Sequence, residues 1–429
     1  MKRIQFTLLI VAFLAPALNA QSLADLYKSN EIRLTPDPAY AANADWPAIF
    51  HDYEHKDNGR STGENKSLVV APDGSLFVSH RTRHALSRFD PQGRYSGDFG
   101  KKGGKSQADF IYMPSVQGIM DGKYVYTTAV DGRMHFFDLK GNWFKTLKLS
   151  YMPLHSVPLK GGKIAVLGYV PYKGSQARIM VALLNVADGK EKIIRSELQP
   201  YATQKKIVID PYFYKDENGK EQRIGNWITT SLPMTDPSFY RLRMEVNKSG
   251  NLVTANPATG EIITYDPNGK IISQFTTELT AEKITAEDRE EYYQKALEHL
   301  KKLEKDAESV AQHKEYWNHY LAQYRQQLSK FRDPANYPDQ LPGFSELIID
   351  SDDNLLLFRF TREKGSNQFD VYTFSNQGKK IGTSRFTAEG YQLRITPSAF
   401  RFHKGSIYAL TKDKNNVLKI EKFNLSANQ

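Results

Sequence analysis

The sequence contains no cysteine among its 429 residues. This absence excludes disulfides, thiolate metal ligands, a cysteine nucleophile and a lipid-modified cysteine. An exported chain without disulfides is typical of a bacterial periplasm or cell surface rather than of the small disulfide-stapled domains of eukaryotic secretion.

Long apolar runs are also missing, since no segment after residue 20 approaches the roughly 18 apolar residues of a membrane-spanning helix. Residues 1–20 carry basic Lys2 and Arg3, a short apolar stretch over 6–14, and small residues up to Ala20. This pattern predicts a signal peptide, with a short buried helix as the alternative. We therefore expect a soluble mature chain, exported to the periplasm or the cell surface and not a lipoprotein.

Acidic residues are fewer than basic ones, 48 against 58, which gives a formal net charge of +10. The excess favours anionic partners such as acidic glycans, phosphorylated surfaces or carboxylates. Because no long basic run concentrates the charge, the alternative is that it serves solubility alone. The export signal argues against nucleic acid as a partner.

Motifs of common enzymes are absent as well. The sequence has no GxSxG elbow, no P-loop, no HExxH pair and no EF-hand loop. The segment SDDN at 351–354 has a calcium-like composition, but it falls where each repeat has its first turn. Asp and Asn are expected in such a turn, so we interpret SDDN as a turn.

What the sequence does contain is a recurring phrase of short apolar runs separated by turns with Gly, Asn or Asp. Its clearest copy is LVVAPDGSLFVSHRTRHALSRFDPQGRY at 68–95, and others lie at 118–144 and 244–272. Runs of this length and composition predict strands and hairpins. Units of about 40–50 residues built from strands indicate the blades of a β-propeller rather than a solenoid.

The repeats predict an all-β fold, a six-bladed β-propeller. The units cover residues 64–103, 105–149, 150–198, 199–279, 338–388 and 389–425. Blades one to four thus occupy 64–284, and blades five and six occupy 333–429. The N-terminal segment 21–63 contains a spare strand, EIRLTP at 31–36, which we expect to pair with the last unit and close the ring.

One segment, 285–332, contains neither glycine nor proline and breaks the repeat. Thr285 and Asp288 have the spacing of a capping box, and Pro334 is a stop signal. We predict a helical insertion between blades four and five, either one long helix or a hairpin turning near 311–314.

The apolar stripe of this insertion either packs on the propeller or on itself, or it covers one mouth of the ring and binds a partner. The second alternative depends on its aromatic side chains, because Trp and Tyr are enriched at interfaces. The candidate partner-binding residues are Tyr316, Trp317, Tyr320 and Tyr324.

The phrase PDGSLFVSH…FDPQGRYSGDFG at 72–100 resembles an NHL-type repeat. Most of the chain is similar to the exported six-bladed β-propeller proteins of Bacteroidetes, of the NHL and TolB-like kind. The resemblance implies a propeller, export, and binding of a ligand or partner, but no reaction. Six-bladed relatives include calcium-dependent lactonases and a zinc lyase, which place metal ligands at strand ends facing the channel.

Matching metal ligands are not found at the ends of the second strands of the repeats. These ends read Ser79-His80, Thr128-Ala129, Gly168-Tyr169, Ala255-Asn256, Arg359-Phe360 and Leu410-Thr411. They supply neither the oxygen-rich set of a calcium site nor the three ligands of a catalytic zinc. We therefore predict no metal and no cofactor. Calcium or zinc belongs only to an alternative function, a metal-dependent hydrolase, lactonase or lyase.

The leading hypothesis is a non-catalytic exported binding or scaffold protein that recognises a glycan, a peptide or an envelope protein. Cationic and aromatic side chains near the same strand ends suit anionic or sugar ligands. A solvated turn is the alternative for the compact cluster at 80–84. The candidate ligand-binding residues are His80, Arg81, Arg83, His84, Arg133, Tyr169, Asn256, Arg359 and Arg362.

Overall fold

The structure, a computed structural model, describes residues 22–40, 67–80, 84–104, 106–171, 177–198, 206–279, 281–309, 314–361, 367–393, 395, 398–415 and 418–427. The candidates Arg81, Arg83 and Arg362 lie outside these ranges. The described chain consists mostly of strands in small antiparallel sheets. None of its described helices combines the length and the apolar character needed to cross a membrane.

Four sheets each contain four strands that follow one another in sequence. The N-terminal strand β1 spans Glu31–Pro36. Sheet A comprises β2 (Ser67–Val70), β3 (Leu76–His80), β4 (Ala85–Phe89) and β5 (Tyr95–Phe99). Sheet B comprises β6 (Ser115–Met120), β7 (Tyr124–Thr128), β8 (Arg133–Asp138) and β9 (Trp143–Lys148). Sheet C comprises β10 (Met152–Leu159), β11 (Lys163–Pro171), β12 (Ala177–Asn185) and β13 (Glu191–Leu198).

Two small two-stranded sheets precede the fourth of these sheets. Their strands are β14 (Lys206–Ile209), β15 (Tyr212–Lys215), β16 (Glu221–Ile224) and β17 (Ile228–Ser231), with β14 paired to β17 and β15 to β16. Sheet D then comprises β18 (Arg243–Val246), β19 (Leu252–Ala255), β20 (Glu261–Tyr265) and β21 (Ile271–Thr276).

The remaining strands form one nine-stranded sheet. One half comprises β22 (Phe344–Ile349), β23 (Leu355–Arg359), β24 (Gln368–Phe374) and β25 (Lys380–Thr387). The other half comprises β26 (Tyr391–Leu393), β27 (Phe400–His403), β28 (Ser406–Asp413) and β29 (Leu418–Ala427). β1 joins the halves, because it pairs antiparallel with β29 and parallel with β25. The sequence led us to expect that β1 pairs with the last unit, which contains β29, but not that it also pairs with β25.

The recurring phrase is explained by its turns. In the turn after β20, the Asp266 carboxylate accepts the backbone N–H groups of Asn268 at 2.8 Å and Lys270 at 2.9 Å. Gly269 follows with a φ of 84°, a conformation that glycine adopts without steric cost. The hydrogen bond from the Lys270 N–H lowers the pKa of Asp266. Desolvation opposes this effect, and the hydrogen bond from the Asn268 N–H adds to it.

The same turn chemistry decides the interpretation of SDDN. The Asp350 carboxylate accepts the backbone N–H groups of Asp352 at 2.7 Å and Asn354 at 2.9 Å, so its oxygens serve the turn. The predicted turn is confirmed.

The first strands of the successive sheets contact one another in a closed cycle. β2 contacts β6, β6 contacts β10, β10 contacts β18, β18 contacts β22, β22 contacts β27, and β27 contacts β2. Sheets A to D and one half of the nine-stranded sheet therefore present their first strand to a common centre, and the other half presents β27, its second strand, in the place of a first strand.

Between β21 and β22 the chain forms two further helices, α2 (Ala286–Ser309) and α3 (Lys314–Gln327), after the short N-terminal α1 (Leu23–Leu26). Thr285 and Asp288 cap α2 reciprocally, as their spacing predicts. The apolar sides of α2 and α3 pack together and on β14. Their core includes Ile207, Ile209, Leu300, Leu321, Tyr324, Leu328 and Phe331.

Candidate functional site

Polar side chains of the first strands meet at the centre of the cycle. They form what we call the axial network: Gln117, His155, Arg243, Glu245, Glu346 and Arg401. The Gln117 side chain accepts the backbone N–H of Ser156 at 3.0 Å and donates to the Ser115 hydroxyl at 3.0 Å.

Arg401 connects three strands across this centre. Its Nη1 lies 3.0 Å from Glu245 Oε1 on β18, and its Nη2 donates to the Gln117 carbonyl on β6 at 3.2 Å. The Arg401 and Glu245 side chains are only 16% and 12% exposed. Burial raises the pKa of Glu245, and Arg401 opposes that rise.

A second ion pair lies beside the first. Arg243 Nε is 3.2 Å from Glu346 Oε1 and also donates to the Ser345 carbonyl at 2.6 Å. Each of these four charged groups therefore has a counter-charge inside the network. The two ion pairs link β18 to β22 and to β27, and replacing one partner of either pair would leave a buried charge without its counter-charge.

His155 sits between two acceptor oxygens, Gln117 Oε1 at 3.2 Å and the Met244 carbonyl at 3.3 Å. A neutral imidazole donates to one of them. Burial, followed by the charge of Arg401, lowers the pKa of His155 to about 3.

The depressed pKa of His155 predicts an acid-labile core. Between pH 6.5 and 3 the unfolded chain protonates this histidine while the folded chain keeps it neutral, so stability falls on acidification. The expected loss from pH 8 to pH 5 is about 2 kcal/mol. Glu245 acts with the opposite sign, because its raised pKa lets the folded chain take up a proton first. Urea unfolding of wild type and His155→Gln at both pH values isolates the histidine, and equal pH dependence of the two proteins would contradict its role.

The predicted ligand-binding residues that the structure describes lie at one end of the sheets, where second strands end and third strands begin. His80 ends β3 opposite Ala85, and His84 is half-buried in the following turn with a φ of 52°. Arg133 begins β8 and forms an ion pair with Asp131 at 3.3 Å.

The others serve their own sheets. Tyr169 lies in β11 opposite Met152 and Ile179. The Asn256 side chain accepts the backbone N–H of Ala258 at 2.9 Å, which makes it a turn residue. Arg359 forms ion pairs with Glu282 at 2.8 Å and Asp370 at 3.8 Å. These residues share one end of the sheets, and apart from the ion pair of Arg359 with Glu282 their contacts lie within their own sheets and turns.

The small sheets and the turn beside them carry three exposed aromatic side chains. Trp227, between β16 and β17, is 58% exposed, and Phe213 of β15 is 47% exposed. Their rings lie 6.3 Å apart, and the Arg223 guanidinium lies 5.6 Å from the centre of the Trp227 ring. Tyr214, on the opposite side of the strand, is also exposed.

Helix α3 continues this aromatic cluster. Tyr212 contacts His319 of α3 at 5.5 Å between ring centres. The Tyr316 ring lies against Gly225, where an added Cβ would come within 2.6 Å of it. We call the combined set, from both sides of β15, the aromatic surface; it comprises the exposed Phe213, Tyr214 and Trp227 and the half-buried Tyr316, Trp317 and Tyr320.

Of the four aromatic residues predicted to bind a partner, Tyr324 is buried against His299 at 5.8 Å. Partner contacts by this helix would therefore have to come from the other three. Trp317 also lines a groove of about 530 Å³ between α2 and α3, together with Ala307, Leu321, Glu304 and Arg325.

Sequence reasoning missed the axial network and half of the aromatic surface. The network could not be found among the ends of second strands, from which the candidates were selected, because its residues alternate with apolar ones along first strands. Phe213 and Trp227 could not be selected from the sequence, because the segment between them, 214–223, is mostly polar and charged and carries no aromatic pattern. Within the described ranges, no three His, Asp or Glu side chains are grouped to hold one metal ion.

No protein-family model matches the chain, and no curated protein matches it. Solved structures give distant likenesses. One is a protein of Bacteroides fragilis described as exported, with a TM-score of 0.43, 10% identity, and coverage of 85% of this chain and 90% of that one. Another is a member of the DUF4221 family from Bacteroides vulgatus, with a TM-score of 0.42, 11% identity, and coverage of 94% and 100%.

A third is the Cps50 (Swd1) β-propeller domain of Myceliophteria thermophila, with a TM-score of 0.36, 9% identity, and coverage of 83% of this chain and 85% of that one. The chain is distantly similar in structure to these three proteins. TM-scores below 0.5 carry no inference about its fold or its function.

Proposed function

We propose that this protein is an exported, non-catalytic binding protein built on a six-bladed β-propeller with a helical insertion. The signal-like residues 1–20 support export. The closed cycle of six first strands supports the propeller, because each blade of such a ring contributes its innermost strand to the centre. α2 and α3 lie between the fourth and fifth blades.

The observation that carries the binding function is the aromatic surface. Phe213 and Trp227, whose rings contact each other, are left exposed there, whereas the charges on the axis already neutralise one another. Exposed clusters of this kind mark interaction sites, and Trp and Tyr are the residues on which binding energy concentrates. The ligand is a glycan, a peptide or an envelope protein.

The basic end of the sheets is proposed as a second contact region. Arg133 and Arg359 keep part of their guanidinium groups exposed beside acidic partners. Arg81, Arg83 and Arg362 belong to the same connections in the sequence. Anionic groups of the ligand would be bound there.

Point substitutions test the aromatic surface better than removal of α2 and α3, since that deletion would uncover the buried Ile207 and Ile209. Phe213→Ala with Trp227→Ala should weaken capture of the partner by at least about tenfold, the loss of a typical hot spot. Trp143→Ala is the matched control, because Trp143 is 42% exposed on the outer strand of sheet B. Captured molecules are measured by quantitative mass spectrometry of envelope fractions and by glycan arrays. Equal capture by both variants would refute the proposal.

Elemental analysis of the purified mature chain, before any chelator is added, tests the absence of a catalytic metal. We expect no stoichiometric metal. One calcium or zinc per chain would replace this proposal by a metal-dependent hydrolase, lactonase or lyase, and lactone and ester substrates would then be assayed.

A further inference from the structure

The two edges of the β14–β17 sheet differ. The β14 edge is covered by glutamine side chains of α3. The Gln327 amide accepts the Val208 N–H at 3.1 Å and donates to the Val208 carbonyl at 2.6 Å. The Gln323 amide contacts the N–H and the carbonyl of Asp210 in the same way, at 3.0 and 3.4 Å.

These contacts establish which way the backbone of each strand points. Residues 208 and 210 direct their backbone groups towards α3, so the intervening Ile207 and Ile209 direct theirs towards β17. Their partners in the register are Thr230 and Ile228. Because orientation alternates along a strand, the backbone groups of Thr229 and Ser231 point to the opposite, outer edge of β17.

The outer edge of β17 lacks the charges, the proline and the bulge that commonly protect an edge strand against pairing. Its sequence, ITTS, contains no charge and no proline, and it carries no bulge in its register with β14. Thr229 and Thr230 are exposed. In the part of the chain that the structure describes, no strand other than β14 pairs with β17.

We propose that the outer edge of β17 binds an extended peptide segment of a partner protein as an added strand. A row of backbone donors and acceptors is complementary to another extended backbone, and alternate side chains of such a peptide reach the flanking surface. Trp227, which directly precedes β17, supplies an aromatic contact at one end of the added strand. This inference rests on the proposed binding function and specifies its ligand as a peptide.

Thr229→Pro tests the added strand. Proline removes the outward N–H of residue 229, yet it costs no hydrogen bond to β14, since only the N–H groups of alternate residues serve that ladder. Thr229→Val is the matched control, because valine keeps the N–H and the β-branched shape. The probe is a displayed library of random 12-residue peptides, selected on the wild-type mature chain. Peptides selected in this way should lose about tenfold in affinity for Thr229→Pro and remain within about threefold for Thr229→Val.

N-methylation of a selected peptide provides a readout on the wild-type protein, so the test survives even if Thr229→Pro fails to fold. Methyl groups on one alternate set of amides should abolish binding, and those on the other set should leave it unchanged. Equal tolerance of both sets, equal binding to both variants, or no enrichment over Thr229→Pro would overturn the inference.

Two further outcomes separate this inference from its alternatives. If light scattering shows a wild-type dimer that Thr229→Pro converts to a monomer, a second copy of the chain occupies the edge and the inference fails. If the double variant of Phe213 and Trp227 loses its partner while Thr229→Pro retains it, the aromatic surface stands and the added strand fails.

Discussion

Replacing Arg401 by methionine is expected to lower the free energy of unfolding by about 3–5 kcal/mol. The substitution keeps most of the side-chain volume but leaves the buried Glu245 of β18 without its counter-charge. It also removes the donor to the Gln117 carbonyl. Urea unfolding followed by tryptophan fluorescence measures the loss.

Two controls make this result specific to the buried pair. Adding Glu245→Leu to Arg401→Met should recover most of the lost stability, because a buried ion pair can be exchanged for apolar groups at little cost. Arg385→Met removes an exposed ion pair with Asp370 and should cost at most about 1 kcal/mol. A double variant as unstable as Arg401→Met alone would show that the charge of Glu245 is not the cause.

The second large effect concerns β1. Ile32→Asp combined with Leu34→Asp should prevent folding, since both side chains are buried between the halves of the nine-stranded sheet. Losing each apolar side chain costs about 2–5 kcal/mol, and burying an unpaired carboxylate adds to that cost. The sum is comparable to the whole stability of a typical domain.

The same strand offers the control for this experiment. Arg33→Asp with Thr35→Asp introduces identical groups at the two exposed positions of β1, which alternate with the buried ones. This variant should remain folded, with a change in stability of about 1 kcal/mol or less. Circular dichroism and size-exclusion chromatography distinguish the two proteins, and a folded Ile32→Asp/Leu34→Asp protein would show that β1 is dispensable.

The candidate site could be predicted only in part. The aromatic residues of α3 could be chosen because a Gly- and Pro-free segment with Trp and Tyr at helical spacing is visible in the sequence. The burial of Tyr324 could not, because it depends on how α2 packs beside α3. Gln323 and Gln327 gave no signal either, since glutamine is ordinary on a helix and its role depends on the strand beside it.

The sequence by itself determined the turns and the N-terminal cap of α2 at Thr285, because these depend on groups within four residues of one another. The Asp266 turn and the Thr285 cap are examples. Only the tertiary structure decided that Arg401 meets Glu245, which is 156 positions away, and that α3 covers one edge of the β14–β17 sheet while no other strand of the described ranges pairs with its other edge. Contacts between distant residues depend on how the sheets are arranged in space. The residues next to a charge or an amide in the sequence are the same whether or not a distant side chain becomes its partner.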